Sequence, residues 1–214
     1  MTKVIVSYDG TDNDRDALAL GRVFAQAGAS LELAYVRHSS EDATEAQQLL
    51  AAGVEELREG DVPTHVVLSG STPDGLRTLA AEREATLIVF GSEYRTAKGH
   101  VDPQRSARRL IEGGPIAVAL ATAGMHTDKT YQVESVGAVA EDGDPCVLET
   151  ADVLASRLGA TVAEHATKEI DLLVVGSKPG TVTGRVTISA AADYLIELAL
   201  CPVVVLPRGV ALAF

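Results

Sequence analysis

A stretch of fifteen residues occurs twice in this chain. LIVFGSEYRTAKGHV (Leu87 to Val101) returns as LLVVGSKPGTVTGRV (Leu172 to Val186). Gly91-Ser92 therefore matches Gly176-Ser177 and Gly99 matches Gly184, each pair 85 residues apart. An internal repeat constrains a fold more than any single motif, because each copy must be one supersecondary unit. Each copy is an apolar run ending in Gly-Ser, then a polar loop, a helix-like stretch and a second apolar run. The pattern predicts two α/β units in tandem, residues 1–122 and 131–214, joined by a polar linker at 123–130. Each unit has a loop where phosphate could bind.

The segments around the repeat fill out the plan. Lys3 to Tyr8 is rich in β-branched residues and stops at Asp9-Gly10. A helix is expected from about Asn13 to Ala27, with Thr11 or Asp12 as cap, acids at its positive end and Gly28 as its stop. Leu31 to Val36 reads as a second strand and Glu41 to Glu59 as a helix with Leu49, Leu50, Val54 and Leu57 at helical spacing. Thr64 to Leu68, Pro73 to Arg83 and Leu87 to Phe90 continue the alternation. Asp102-Pro103 reads as N-cap and first helical position, and Ile116 to Ala121 as the fifth strand. Strands alternating with helices imply a parallel sheet with right-handed crossovers, so the fold class is α/β, two Rossmann-like or flavodoxin-like open parallel sheets in tandem. Ligands in such sheets sit beyond the carboxyl ends of the strands, where the strand order switches.

The second unit is shorter. Glu141-Asp142-Gly143-Asp144 matches Tyr8-Asp9-Gly10-Thr11, and Gly159 matches Gly28. Between Gly159 and Gly176, however, there are too few residues for a full set of elements. Thr161 to Ala166 looks like a strand, but its distance to Leu172 is short of the dozen residues a parallel crossover takes. A three-strand core is therefore expected, with residues 161–170 irregular or partly helical. The two fifth strands, Ile116 to Ala121 and Val203 to Leu206, are apolar edges, and pairing them would cover both.

Composition narrows the function classes. A net charge of −12 argues against a nucleic-acid partner. Yet Gly91 to Arg109 holds Arg95, Lys98, Arg105, Arg108 and Arg109 against Glu93 and Asp102, a cationic island that is either a solvated face or an anion site. No run is long enough to span a bilayer, and the first residues carry no signal-peptide pattern, so a cytoplasmic protein is expected. Cys146 and Cys201 are too few for a disulfide framework or zinc site and read as reduced packing residues. The five histidines form no metal-spaced or triad-like cluster, although His38 and His100 could line a crevice. Neither a Walker loop nor a nucleophile elbow is present, and no catalytic residue is assigned.

Asp9-Gly10 after strand one, strand two ending near Val36, the Gly91-Ser92 loop and the closing Gly-Pro-Ile-Ala-Val (Gly114 to Val118) together resemble the universal stress protein family. Val-Val-Gly-Ser (Val174 to Ser177) and Cys-Pro-Val-Val-Val-Leu-Pro (Cys201 to Pro207) resemble it again. The resemblance implies a non-catalytic regulatory protein of the stress response. It also implies ATP or AMP as ligand, no metal beyond nucleotide-bound Mg, an intrachain pseudo-dimer, association of two chains, and a regulatory protein partner. The nucleotide-binding branch uses an Asp after strand one, a backbone contact near the end of strand two, and a loop patterned G-x2-G-x9-G-[S/T]. Carried over, Asp9, the Val36 backbone and Gly91 fit, with Ser92, Gly99 and Ser106 as further contacts. Tyr94 and Gln104 stand where glycines belong, and Arg105 where Ser or Thr belongs. The weaker equivalents are Asp142, Gly176, Ser177, Gly184 and Ser189, with Pro179 at the second glycine.

Each residue has a second reading. Asp9 could hold a ribose hydroxyl or cap a turn, and Ser92 and Ser177 could donate to phosphate or tie down their loops. Arg105 could replace a lost backbone contact with a bidentate one or extend into solvent. The alternative at the level of the whole chain is an interaction module with vestigial pockets.

Overall fold

The computed structural model describes residues 1–39, 43–58, 60–163 and 170–214. Nine strands form one sheet in the order β3-β2-β1-β4-β5-β9-β8-β6-β7. In the first half, β1 (Lys3–Ser7), β2 (Ser30–Arg37), β3 (Thr64–Leu68), β4 (Leu87–Phe90) and β5 (Ala117–Leu120) pair in parallel. They alternate with α1 (Asp12–Gln26), α2 (Thr44–Leu57), α3 (Thr72–Arg83) and α4 (Arg105–Ile111). The second half has β6 (Ser135–Val139), α5 (Pro145–Leu158), β7 (Thr161–Val162), β8 (Leu172–Val175), α6 (Ala190–Leu198) and β9 (Val203–Val205), again parallel among themselves. Period-two alternation sends Val4, Val6 and Val89 to the face covered by α1, α2 and α5, and Ile5, Ile88 and Phe90 to the face covered by α3, α4 and α6.

The halves meet edge to edge. β5 and β9 run antiparallel, with Val118 opposite Val205, Ala119 opposite Val204 and Leu120 opposite Val203. Ala119 and Val204 are themselves 85 residues apart, so a residue and its own repeat equivalent face each other at the centre of a local two-fold. Every side chain in this ladder is buried, as the apolarity of both runs requires. Two further bonds cross between the halves, Gly113 N–H to the Val186 carbonyl at 2.7 Å and Val186 N–H to the Gly114 carbonyl at 2.8 Å.

Connecting segments are docked rather than loose. Asp16, a buried carboxylate on α1, accepts from the Gly124 and His126 amides at 2.8 Å and from His126 Nδ1 at 2.6 Å, which clamps the segment expected as a plain polar linker. In the other direction the C-terminal residues return to the first half. Phe214 stacks on Phe24 at 5.6 Å, and the Thr2 amide donates to the Ala213 carbonyl at 2.7 Å. Both cysteines are free, and burial pushes the Cys201 thiol up to about 12, which suits a packing role.

Two sequence expectations are corrected. The second half has a fourth strand: the Thr161 amide donates to the Glu134 carbonyl and the Ala163 amide to the Val136 carbonyl, both at 2.9 Å. Two ladder bonds need only two residues of strand, so shortness did not remove β7. Residues 164–169, within the segment expected to be irregular, lie outside the described residues. Second, α4 begins at Arg105, not Pro103, and runs only seven residues. Pro103 instead forms a bridge with Ser92.

Candidate functional site

The strand order switches between β1 and β4, and there the loops after both strands meet the start of α1. Gly91 comes so close that a Cβ on it would lie 1.9 Å from the Asn13 carbonyl oxygen, so glycine is required by packing. Asp9 is exposed at the end of β1, and its Oδ1 accepts from the Thr11 amide at 3.2 Å. Its own amide donates to Asp14 Oδ2 at 2.7 Å. The two carboxyls are hydrogen-bonded to each other. Burial and the neighbouring Asp9 raise the Asp14 carboxyl far above the usual range, whereas the bond from Asp14 lowers Asp9. One proton is thus held on buried Asp14 and presented to an ionised Asp9.

The two glycine-bearing loops are the same device twice. Ser92 Oγ donates to the Ala121 carbonyl at 2.7 Å and accepts from the Asp102 amide at 3.2 Å. Ser177 Oγ donates to the Leu206 carbonyl at 2.7 Å and accepts from the Thr187 amide at 3.1 Å. Both hydroxyls are buried, so each ties its loop to the strand that follows and has no proton left for phosphate. Gly99 and Gly184 take left-handed φ of 84° and 78°, and their amides donate at 2.8 Å to the Ala123 and Arg208 carbonyls. Of the sequence candidates, Ser92, Ser177, Gly99 and Gly184 are therefore loop-forming residues. Their amides and hydroxyls turn inward, not toward a ligand.

In the second half the switch-point crevice is filled from within. Arg208, just past β9, donates through Nη1 to the Glu141 carbonyl at 3.3 Å and the Ser177 carbonyl at 3.4 Å, bridging the loops after β6 and β8. Its other nitrogens face Asp144 at 3.6 Å and Asp142 at 3.7 Å. Asp144, which is buried, also caps α5 through the Cys146 amide and accepts from the Gly209 amide. Ser189 donates to the Glu141 carboxylate and accepts from the Ala192 amide, so it caps α6. Val147 lies against Gly176, its methyl 2.6 Å from where a Cβ would be. Asp142, Gly176 and Ser189 are all held by neighbouring protein groups.

The cationic island resolves into two parts. Arg108 is compensated by Asp102, Asp193 and Glu197 at 3.3–3.7 Å and helps join the halves. Arg105, Ser106 and Arg109 instead line a cavity of about 220 Å³ with His38 and with Gly70 to Pro73 at the start of α3. Neither Arg105 nor Arg109 has a carboxylate within 4 Å among the described residues. Val36, in β2 two residues before His38, turns its side chain under α3, where Gly75 leaves room for it. No group of acidic, histidine or cysteine side chains suited to a metal occurs among the described residues, nor a helix long and apolar enough to cross a membrane.

No family model and no curated protein matches the chain. Solved structures do. A protein of unknown function from Pseudomonas aeruginosa superposes with a TM-score of 0.70 at 14% identity over 98% of this chain and 93% of its own. A universal stress protein from Archaeoglobus fulgidus gives 0.70 at 12% identity over 97% and 98%.

The chain has the universal stress protein fold.

On this fold, Asp9, Val36, Gly91, Arg105 and Ser106 all gather at the carboxyl edge of the first five strands. Arg208 and Arg109 were not singled out in the sequence. Arg208 had a signal: it stands 85 residues after Ala123, a cation replacing an alanine beside an Asp-Gly-Asp loop. Arg109 had none beyond its place one turn after Arg105.

Proposed function

We propose that this is a non-catalytic regulatory protein of the universal stress family, which binds an adenine nucleotide, ATP or AMP, at the carboxyl edge of its first half. One contrast carries the reading. In the second half Arg208 and its acidic partners occupy the crevice, whereas in the first half Arg105 and Arg109 face a cavity without counter-charges. In a chain of net charge −12, uncompensated cations at a ligand-binding edge favour an anion. Asp9, ionised and exposed, is placed to accept from a ribose hydroxyl, and any magnesium would arrive on the nucleotide. A cytoplasmic setting, pairing of two chains and a protein partner in the stress response belong to the same proposal.

Calorimetric titration with ATP and AMP tests it, with one site per chain expected. The absence of heat at millimolar nucleotide would favour the second reading, an interaction module with vestigial pockets. The inward-facing hydroxyls of Ser92 and Ser177 speak for that alternative.

A further inference from the structure

We infer that the α3–α4 cavity is a phosphomonoester subsite, built from Arg105, Ser106 and Arg109 over His38. It therefore takes the terminal phosphate of a non-cyclic nucleotide. The inference rests on the nucleotide reading above for the base and sugar, and on α4 for the phosphate.

Helix α4 goes against ordinary helix electrostatics at three points. Its first turn holds no acid, in a chain with 30 acidic residues. It opens on a cation, Arg105, at the positive end of the helix. It then places a second cation, Arg109, four residues on, where like charges repel along one face. Each choice costs a few tenths of a kcal/mol, and a dianion between the two guanidinium groups relieves all three at once. The neighbouring cation on the same helix, Arg108, shows the alternative, since three carboxylates surround it. The nearest acid to Arg109 across the cavity, Asp74, is otherwise occupied. Its carboxyl accepts from Ser71 Oγ and from Arg77 at 2.6 Å, and it caps its own helix.

The far wall is fixed. His38 Nδ1 lies 3.0 Å from the Ser69 carbonyl, which can only accept, so Nδ1 carries a proton. Nε2 meets Thr72 Oγ1 at 3.3 Å. The ring thus holds the start of α3 in place opposite the arginines. At about 220 Å³ the cavity is smaller than the roughly 300–1,000 Å³ that encloses a drug-sized ligand, so it admits a phosphate while the nucleoside lies outside, over the strand ends. A phosphomonoester offers two charges and three terminal oxygens to two guanidinium groups and the Ser106 hydroxyl. A cyclic phosphodiester offers one charge and two such oxygens.

The test is titration of the whole protein with AMP, adenosine, cyclic AMP and inorganic phosphate, using wild type, Arg109→Ala and Arg105→Ala. Both arginines are exposed and unpaired, so circular dichroism should show both variants folded. AMP should bind wild type about tenfold or more tighter than adenosine or cyclic AMP, and each variant should lose about tenfold for AMP and nothing for adenosine. Equal binding of AMP and adenosine, or AMP binding unaltered in Arg109→Ala, would overturn the subsite and leave the nucleotide reading standing. Inorganic phosphate bound by wild type and lost in both variants, with adenosine adding nothing, would support the subsite and overturn the nucleotide reading. No binding of any probe would overturn both.

Discussion

Replacing Gly91 by alanine should cost far more than the same change at its repeat equivalent, Gly176. At Gly91 the new methyl would lie 1.9 Å from the Asn13 carbonyl oxygen and 2.5 Å from its carbon, whereas ordinary contact begins at 3.4 Å. The deficit of about 1.5 Å falls on backbone, so β4 and the start of α1 must separate. At Gly176 the clash is 2.6 Å with a Val147 methyl, and the nearest backbone atom is at 3.6 Å, so rotation of one side chain relieves most of it. Neither glycine has positive φ, so alanine gains about 0.4–1 kcal/mol at both sites by restricting the unfolded chain. Overpacking of about 3 kcal/mol or more at Gly91 and about 1 kcal/mol at Gly176 then leaves a net loss near 2 kcal/mol or more against almost none. In thermal melts this is a fall of roughly 4–8 °C for Gly91→Ala and at most about 2 °C for Gly176→Ala. Urea unfolding followed by circular dichroism measures both. Equal losses, or a larger one at Gly176, would refute the view that Gly91 is fixed by its approach to α1.

Asp14→Asn should flatten the dependence of stability on pH. The folded Asp14 carboxyl is raised above its unfolded value, so the native state binds the extra proton. Stability therefore falls as pH rises beyond the ordinary carboxylate range; the variant should be the more stable at pH 8 and lose that advantage by pH 4, as read by urea midpoints. Glu32, buried beneath α3, is the opposite case. Burial alone would raise its carboxyl, but the bidentate Arg83 and His65 more than offset this and lower it, so its contribution is present at neutral pH and lost on acidification. Arg83→Ala should cost roughly 2 kcal/mol at pH 7, less than a fully buried pair because Arg83 is half-exposed, and adding Glu32→Gln should restore part of it. Arg208→Ala should destabilise by about 1–2 kcal/mol by stripping buried Asp144 of its counter-ion, while nucleotide stoichiometry stays at one per chain. A second equivalent of bound nucleotide in that variant would show that Arg208 alone closes the second crevice.

Most of the architecture was legible because it is written in local signals. Apolar runs placed eight of the nine strands, and the exposed apolar edges of Ile116 to Ala121 and Val203 to Leu206 pointed to the pairing seen between β5 and β9. The site was less legible, because its chemistry depends on distant partners. Ser92 reads as a phosphate donor until Ala121, nearly thirty residues on, is seen to take its proton. Arg105 reads as a cation at the mouth of a long helix, but α4 proves short, and its counterpart Arg109 matters only because α3 folds across it. Strand β7 was lost to a length rule that holds for complete crossovers.

The ladder between β5 and β9 has one further consequence. Were the halves two identical chains, the same local two-fold would oblige every substitution to appear on both sides of the axis. A cation that fills one crevice would fill the other as well. Within one polypeptide the axis through Ala119 and Val204 relates shapes without enforcing sequence, and the connecting segment keeps the partners together at an effective concentration no dilution can lower. One half is thus free to become scaffold, its crevice closed by Arg208, while the other keeps an open edge.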